Sequence, residues 1–338
     1  MQRNTRLGYL GAATAAIAIS VAAVAPVAAT TSPDLASHVH FMPIIGATAQ
    51  ADGQASGQAK NARPGGNSAY PQAGINYHGG RIVAQDFHVV SIYWSSGATY
   101  PGGPNPNGAE LTGSGAADGS LVGTFLRGLG GSPYYNINKT YWDQLTAGVY
   151  RSVTGGIVYD GYWADGTNAP SGTDNVSGAA VEAEIAAGFA SGALTYGANT
   201  IYSVFSAGGV NLGGGAFTQY CAYHGHFTWS GNDVIYAVMP YNAYNTSACG
   251  AQATGPNGDP ADFEVNTLAH EIEEANTDPS LSAWWDNRGY ENADKCAWTF
   301  GTTSTASNGA KYNMTIGGKN WLVQRNWKNS GSGSCALS

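Results

Sequence analysis

Charge is scarce in this chain. Only 11% of its 338 residues are Asp, Glu, Lys or Arg, and 22 acidic residues outnumber 14 basic ones, for a formal charge of −8. The Lys and Arg residues form no cluster. Nothing is therefore on offer to neutralise a phosphate backbone or an anionic headgroup, which excludes nucleic acid and acidic lipid as partners. A Gly-x-Ser-x-Gly elbow is missing, as is any internal repeat, so a serine hydrolase of that type and a solenoid are excluded as well. Long apolar runs are confined to the amino end. There Arg3 and Arg6 precede an Ala-rich stretch from Leu7 to about Val24, followed by the small residues of Val27-Ala28-Ala29. This reads as a signal peptide over 1–29, leaving a secreted, extracellular protein with no membrane attachment after cleavage and a charge near −10 once the two arginines are gone.

What the chain has instead is glycine (48), tyrosine (20) and tryptophan (9), the composition of a loop-rich protein with much β structure. Its four cysteines, in an exported context, suggest two disulfides with three possible connectivities. The sequence-local one is expected, Cys221 with Cys249 and Cys296 with Cys335. A Cys/His zinc site around Cys221 and His224 is the competing reading.

From residue 30 to 74 the chain is rich in Ala, Gly, Gln and Ser and poor in large apolar residues. It reads as a low-complexity linker or pro-segment that builds no core, with His38 and His40 inside it. A single globular domain is expected over 75–338. Arg81-Ile82-Val83, Phe87 to Trp94, Thr200 to Phe205 and Asp233 to Met239 read as strands, and Ser120 to Leu129 and Ser177 to Phe189 as helices. Tyr141 to Val158 has strand character, and the Gly-rich region around Cys221 reads as a separator. The fold class is α+β or α/β, a mixed sheet with flanking helices, stapled by disulfides. His78, His88, His224 and His226 read as hydrogen-bonded turn or sheet residues, with His224 and His226 able to complete a site if the fold brings them near His270, and Glu182 and Glu184 read as a solvated helix face.

The chemistry concentrates in His270-Glu271-Ile272-Glu273-Glu274, on a helix opened by Pro260 and Asp262 and stopped by Asp278-Pro279. Residues four apart on a helix project to the same side, so His270 and Glu274 can reach one cation while Glu271 flanks it. H-E-x-x-H metallopeptidases use that layout, with the intervening Glu as general base. Glu274 replaces the second histidine and makes the site more anionic, suited to Zn²⁺ or alternatively Ca²⁺. The expected third ligand is Glu291, 17 residues further on, with Asp294 as acceptor for the His270 ring N–H and Asp278 or Asp286 as alternatives. The competing reading makes Glu271, Glu273 and Glu274 an acidic surface of an ordinary amphipathic helix.

Four separated motifs resemble, in order, the EXORDIUM-like or phosphate-induced protein family, with its bacterial branch the nearer match. They are Tyr77-His78-Gly79-Gly80, Ile92-Tyr93-Trp94, Cys221-Ala222-Tyr223-His224-Gly225, and Leu268-Ala269-His270 through Asn276-Thr277-Asp278-Pro279. The resemblance spans about 75–335 and implies a secreted, wall-associated protein; it implies no enzyme activity. Two functions are expected: a zinc-dependent, peptidase-like hydrolase with Glu271 as catalytic base, acting on peptide or cell-wall polymer; or a non-catalytic module that binds glycan or wall through exposed aromatic rings and carries a structural cation.

Overall fold

A computed structural model describes Met1 and residues 38–47, 72–106 and 110–338. The chain divides into two units, Met1–Thr31 and Ser32–Ser338, and all that follows concerns the second. The expected signal peptide, and the linker outside residues 38–47 and 72–74, lie outside the described residues.

Strand-forming runs of β-branched and aromatic residues build a seven-stranded mixed sheet. Its strands are β1 (Val39–Pro43), β2 (Phe87–Trp94), β3 (Leu111–Ser114), β4 (Ile157–Asp165), β5 (Thr200–Phe205), β6 (Tyr220–Trp229) and β7 (Asn232–Met239). Across the sheet they run β1-β6-β7-β5-β2-β4-β3. The central β7, β5, β2 and β4 are parallel, whereas β1, β6 and β3 pair antiparallel. Parallel neighbours need crossover connections, and the helices supply cover on both faces.

Side chains alternate between those faces, as the period of a strand requires. In β2, Phe87, Val89 and Tyr93 enter one core and Ile92 and Trp94 the other; in β7, Ile235, Ala237 and Met239 alternate likewise with Val234, Tyr236 and Val238. The first core is closed by helices α1 (Leu121–Leu129) and α3 (Val265–Thr277), the second by α2 (Gly178–Ser191). Ser120 caps α1 by accepting from the Gly123 N–H, and Ser177 caps α2 from the Ala180 N–H. Both helices thus begin where a hydroxyl can satisfy an otherwise unpaired amide.

Three expectations differ from the structure. Residues 38–43 were expected to lie in a coreless linker, yet Val39 and Met42 are buried and the strand forms the sheet edge against β6. Gly225 permits this approach, since a Cβ there would collide with the main chain of His38 and Val39. The region around Cys221 is no separator but the ten-residue β6. Arg81-Ile82-Val83 joins no ladder, its amides instead donating to the Asp143 carboxylate (Ile82) and the Asn276 carbonyl (Val83).

Both sequence-local disulfides are present, Cys221–Cys249 and Cys296–Cys335, across separations of 28 and 39 residues. Loops of that size correspond to about 3.5 to 4 kcal/mol each in the chain-entropy account. Among the described residues no helix is long and apolar enough to cross a membrane.

Candidate metal centre

The helix α3 is positioned by a capping box. Asp259 accepts from the Ala261 N–H, Asp262 returns a bond to the Asp259 N–H, and Pro260 fixes the first turn of the short 3-10 segment Pro260–Phe263. Val265, Leu268, Ala269, Ile272 and Ala275 then recur at helical spacing and join the first core. On an adjoining face, His270, Glu271 and Glu274 look toward the edge strand β1 and its neighbour β6. All thirteen residues of α3 are buried. An acidic surface is therefore not what Glu271, Glu273 and Glu274 form. Glu273 points to another side of the helix, where its carboxylate accepts from the Asn326 amide at 2.8 Å. Burial holds its pKa well above the usual carboxylate range.

Opposite α3 stand two more histidines, one expected in a coreless linker and the other in a hydrogen-bonded turn or as a residue that could complete the site. His40 on β1 and His224 on β6 are direct cross-strand partners, so both project from the same sheet face toward the helix. A third element, the loop through Glu291 and the Asp294–Cys296 turn, closes the cluster from the side and is tied down by the Cys296–Cys335 disulfide. Its register on α3 is set by the Asp294 N–H, which donates to Glu274 Oε1 at 3.0 Å.

Three imidazoles and four carboxylates thus converge, with side chains at most 1% exposed. His40 Nε2 lies 2.6 Å from Asp294 Oδ2, and its Nδ1 3.5 Å from Glu291 Oε1. His270 Nε2 lies 3.0 Å from Glu274 Oε1 and 3.5 Å from Asp294 Oδ1. His224 Nδ1 is 3.1 Å from Glu271 Oε2 and 3.6 Å from Glu274 Oε2, while its Nε2 is 3.8 Å from Glu291 Oε2. Two sets of donor atoms fall within 4.8 Å of one another and could hold a metal ion: His40, Glu274 and Asp294, and His224, Glu271 and Glu274.

Buried polar atoms are nearly always hydrogen-bonded, and here a whole group is not. His224 Nε2, both ring nitrogens of His270, Glu274 Oε2, both oxygens of Glu291 and Asp294 Oδ1 are buried and make no hydrogen bond. The 3.0 Å approach of His270 to Glu274 lacks hydrogen-bond alignment. No described Lys or Arg forms an ion pair with Glu274, Glu291 or Asp294. Leaving carboxylates uncompensated in such surroundings costs several kcal/mol per ion. The protonation equilibria reflect that strain. Burial, then the Asp278, Glu274 and Asp294 charges, pushes Glu291 well above the ordinary range. Burial pushes His270 down, but the Glu274 and Asp294 carboxylates outweigh it and its pKa is raised. Burial, reinforced by His40 and His270, holds His224 well below the usual value.

Of the residues expected at the site, His270, Glu271, Glu274, Glu291 and Asp294 are brought together. Asp286 is not, and Asp278, though near enough for its charge to act on Glu291, is committed to backbone amides. The Asp278 carboxylate accepts from the amides of Ser282 (2.5 Å), Ala283 (2.7 Å) and Trp284 (3.2 Å), organising the chain after α3. Asp286 pairs with Arg288 and Lys295. The remaining histidines lie outside the cluster: His226 bonds Asp233 at 2.7 Å, His38 meets the His226 ring edge-on, His88 pairs with Asp160 at 2.9 Å and His78 stacks on Trp285. Glu182, expected to be solvated, is half-buried and accepts from the Tyr236 hydroxyl. Comparison with family models, with curated proteins and with solved structures finds no match to this chain.

Proposed function

We propose that this chain is an extracellular metal-binding protein in which a divalent cation, held by His40, His270, Glu274 and Asp294, ties helix α3 to the edge of the sheet. The observation that carries the reading is the set of buried, unbonded His and carboxylate atoms facing one another without a basic side chain. Two imidazoles and two carboxylates are a donor set that zinc accepts, whereas Ca²⁺ prefers six to eight oxygens, so zinc ranks first. Glu291 then backs His40 as the acceptor that orients its ring. The two disulfides accord with an oxidising, extracellular setting, and the EXORDIUM-like resemblance would put the protein at the cell wall.

A second reading is the peptidase-like hydrolase, favoured by one observation: Glu271 shares the cluster with His270 and Glu274 on the same turn of α3. A bound zinc ion would supply Lewis acidity there, and Glu271 would hold and pass the proton. Complete burial of Glu271 against His224 ranks this reading below the structural one, because a substrate needs an open face.

Metal analysis of the purified protein, followed by chelation, tests the proposal. Zinc bound stoichiometrically, with a melting temperature that falls in chelator and returns on adding zinc, supports the cation centre. A chain that carries no metal and melts alike in chelator overturns it. Peptide hydrolysis that disappears in Glu271→Gln while zinc stays bound would promote the second reading.

A further inference from the structure

We infer that the cluster takes two divalent cations, bridged by Glu274, with the second held by His224, Glu271 and Glu274. This rests on the cation reading above and extends it. Glu274 belongs to both donor sets, and its two oxygens face different partners. Oε1 is turned to His270 and the Asp294 N–H, at 3.0 Å from each, while Oε2 lies 3.6 Å from His224 Nδ1 and makes no hydrogen bond. A carboxylate whose oxygens address separate sites can bridge two ions about 3.5 to 4 Å apart.

The His224 ring can serve the same site. Its Nδ1 is hydrogen-bonded to Glu271 Oε2 at 3.1 Å and lies 3.6 Å from Glu274 Oε2, while its Nε2 faces Glu291 Oε2 at 3.8 Å. Without a metal the Nδ1 proton holds the Glu271 carboxylate and leaves the bare Nε2 facing a carboxylate oxygen. A cation in place of that proton would keep both carboxylates drawn to the ring, and the proton moved to Nε2 would make the Glu291 contact attractive, leaving Nδ1 as a lone pair beside two carboxylate oxygens. Three such lone pairs describe a cation position, with Glu291 fixing the ring from behind as carboxylates do for metal-bound imidazoles. Glu291 then serves both sites at once, since its other oxygen lies 3.5 Å from His40 Nδ1.

The test is metal stoichiometry of the purified protein by elemental analysis and native mass spectrometry, after equilibration with buffered zinc. Two ions per chain are expected, falling to one in His224→Gln and in Glu271→Gln, and to none or nearly none in Glu274→Gln. X-ray absorption on the zinc-loaded wild type, which needs no variant to fold, should give a metal–metal distance of about 3.5 to 4 Å. One ion per chain, unchanged in His224→Gln and with no metal–metal scattering, overturns this inference and leaves the single-cation centre standing. No bound metal in the wild type overturns both.

Discussion

His40 and His224 stand directly opposite each other on β1 and β6, with ring centroids 5.9 Å apart, and both are aimed at the helix that carries His270. The edge strand of the sheet is thereby part of the candidate metal centre rather than its neighbour. Replacing His40 with Ala is expected to weaken zinc binding by more than about a hundredfold, beyond the 10- to 100-fold typical of residues that only orient a ligand. Competition against a chromophoric chelator measures this. Unchanged affinity would remove His40 from the donor set.

The two acidic residues of the closing loop should separate in the same assay. Asp294→Asn removes a donor of the His40 set and is expected to cost more affinity than Glu291→Gln, which disturbs only the acceptor behind His40 and His224, at about 10- to 100-fold. The reverse order would exchange their roles and make Glu291 the ligand.

Asp278 offers a contrast. Asp278→Ala strands three amides, those of Ser282, Ala283 and Trp284. At about 1 to 3 kcal/mol for each unsatisfied buried group, the loss of stability should reach roughly 3 kcal/mol or more, read by urea unfolding. Metal stoichiometry should be that of the wild type. A variant that keeps its stability but loses metal would show that the carboxylate ligates.

Glu264, at the start of α3, sets a pH dependence independent of the metal centre. Fully buried, it accepts from the Asn242 N–H, and burial raises its pKa from 4.5 to about 8. Between those values the folded protein keeps a proton that the unfolded chain releases. Its contribution to stability therefore declines as pH rises from about 4.5 to about 8, at up to about 1.4 kcal/mol per pH unit. In Glu264→Gln that decline disappears, so the variant gains on the wild type as pH increases through this window. Parallel stability–pH curves for the two proteins would count against the assignment.

How much of this was legible in the sequence depends on the range of the contact involved. His270, Glu271 and Glu274 are joined by helical periodicity, and Glu291 and Asp294 by their nearness to Cys296; both signals are local. His224 was legible only as a residue that could complete the site if the fold brought it near, and His40 was out of reach because its pairing is long-range and composition spoke against it. A five-residue strand adds too few apolar residues to lift the average of its Ala- and Gly-rich surroundings. A weaker signal was present. His38-Val39-His40 and His224-Gly225-His226 both place histidines two apart, the period of a strand, and Gly225 suits a close neighbour. Glycine around Cys221 was read as turn chemistry when it marks tight strand packing. Ile82 and Val83 show the converse, apolar residues that read as strand but give their amides to a carboxylate and to the end of α3.

His40 and Asp294 are 254 residues apart in sequence and 2.6 Å apart in space. No nascent stretch shorter than that span can grip an ion with both. An ion held by both would therefore load late, after the chain has been delivered at least as far as Asp294. The ion such a centre takes would then be set by the fluid in which the chain finishes folding.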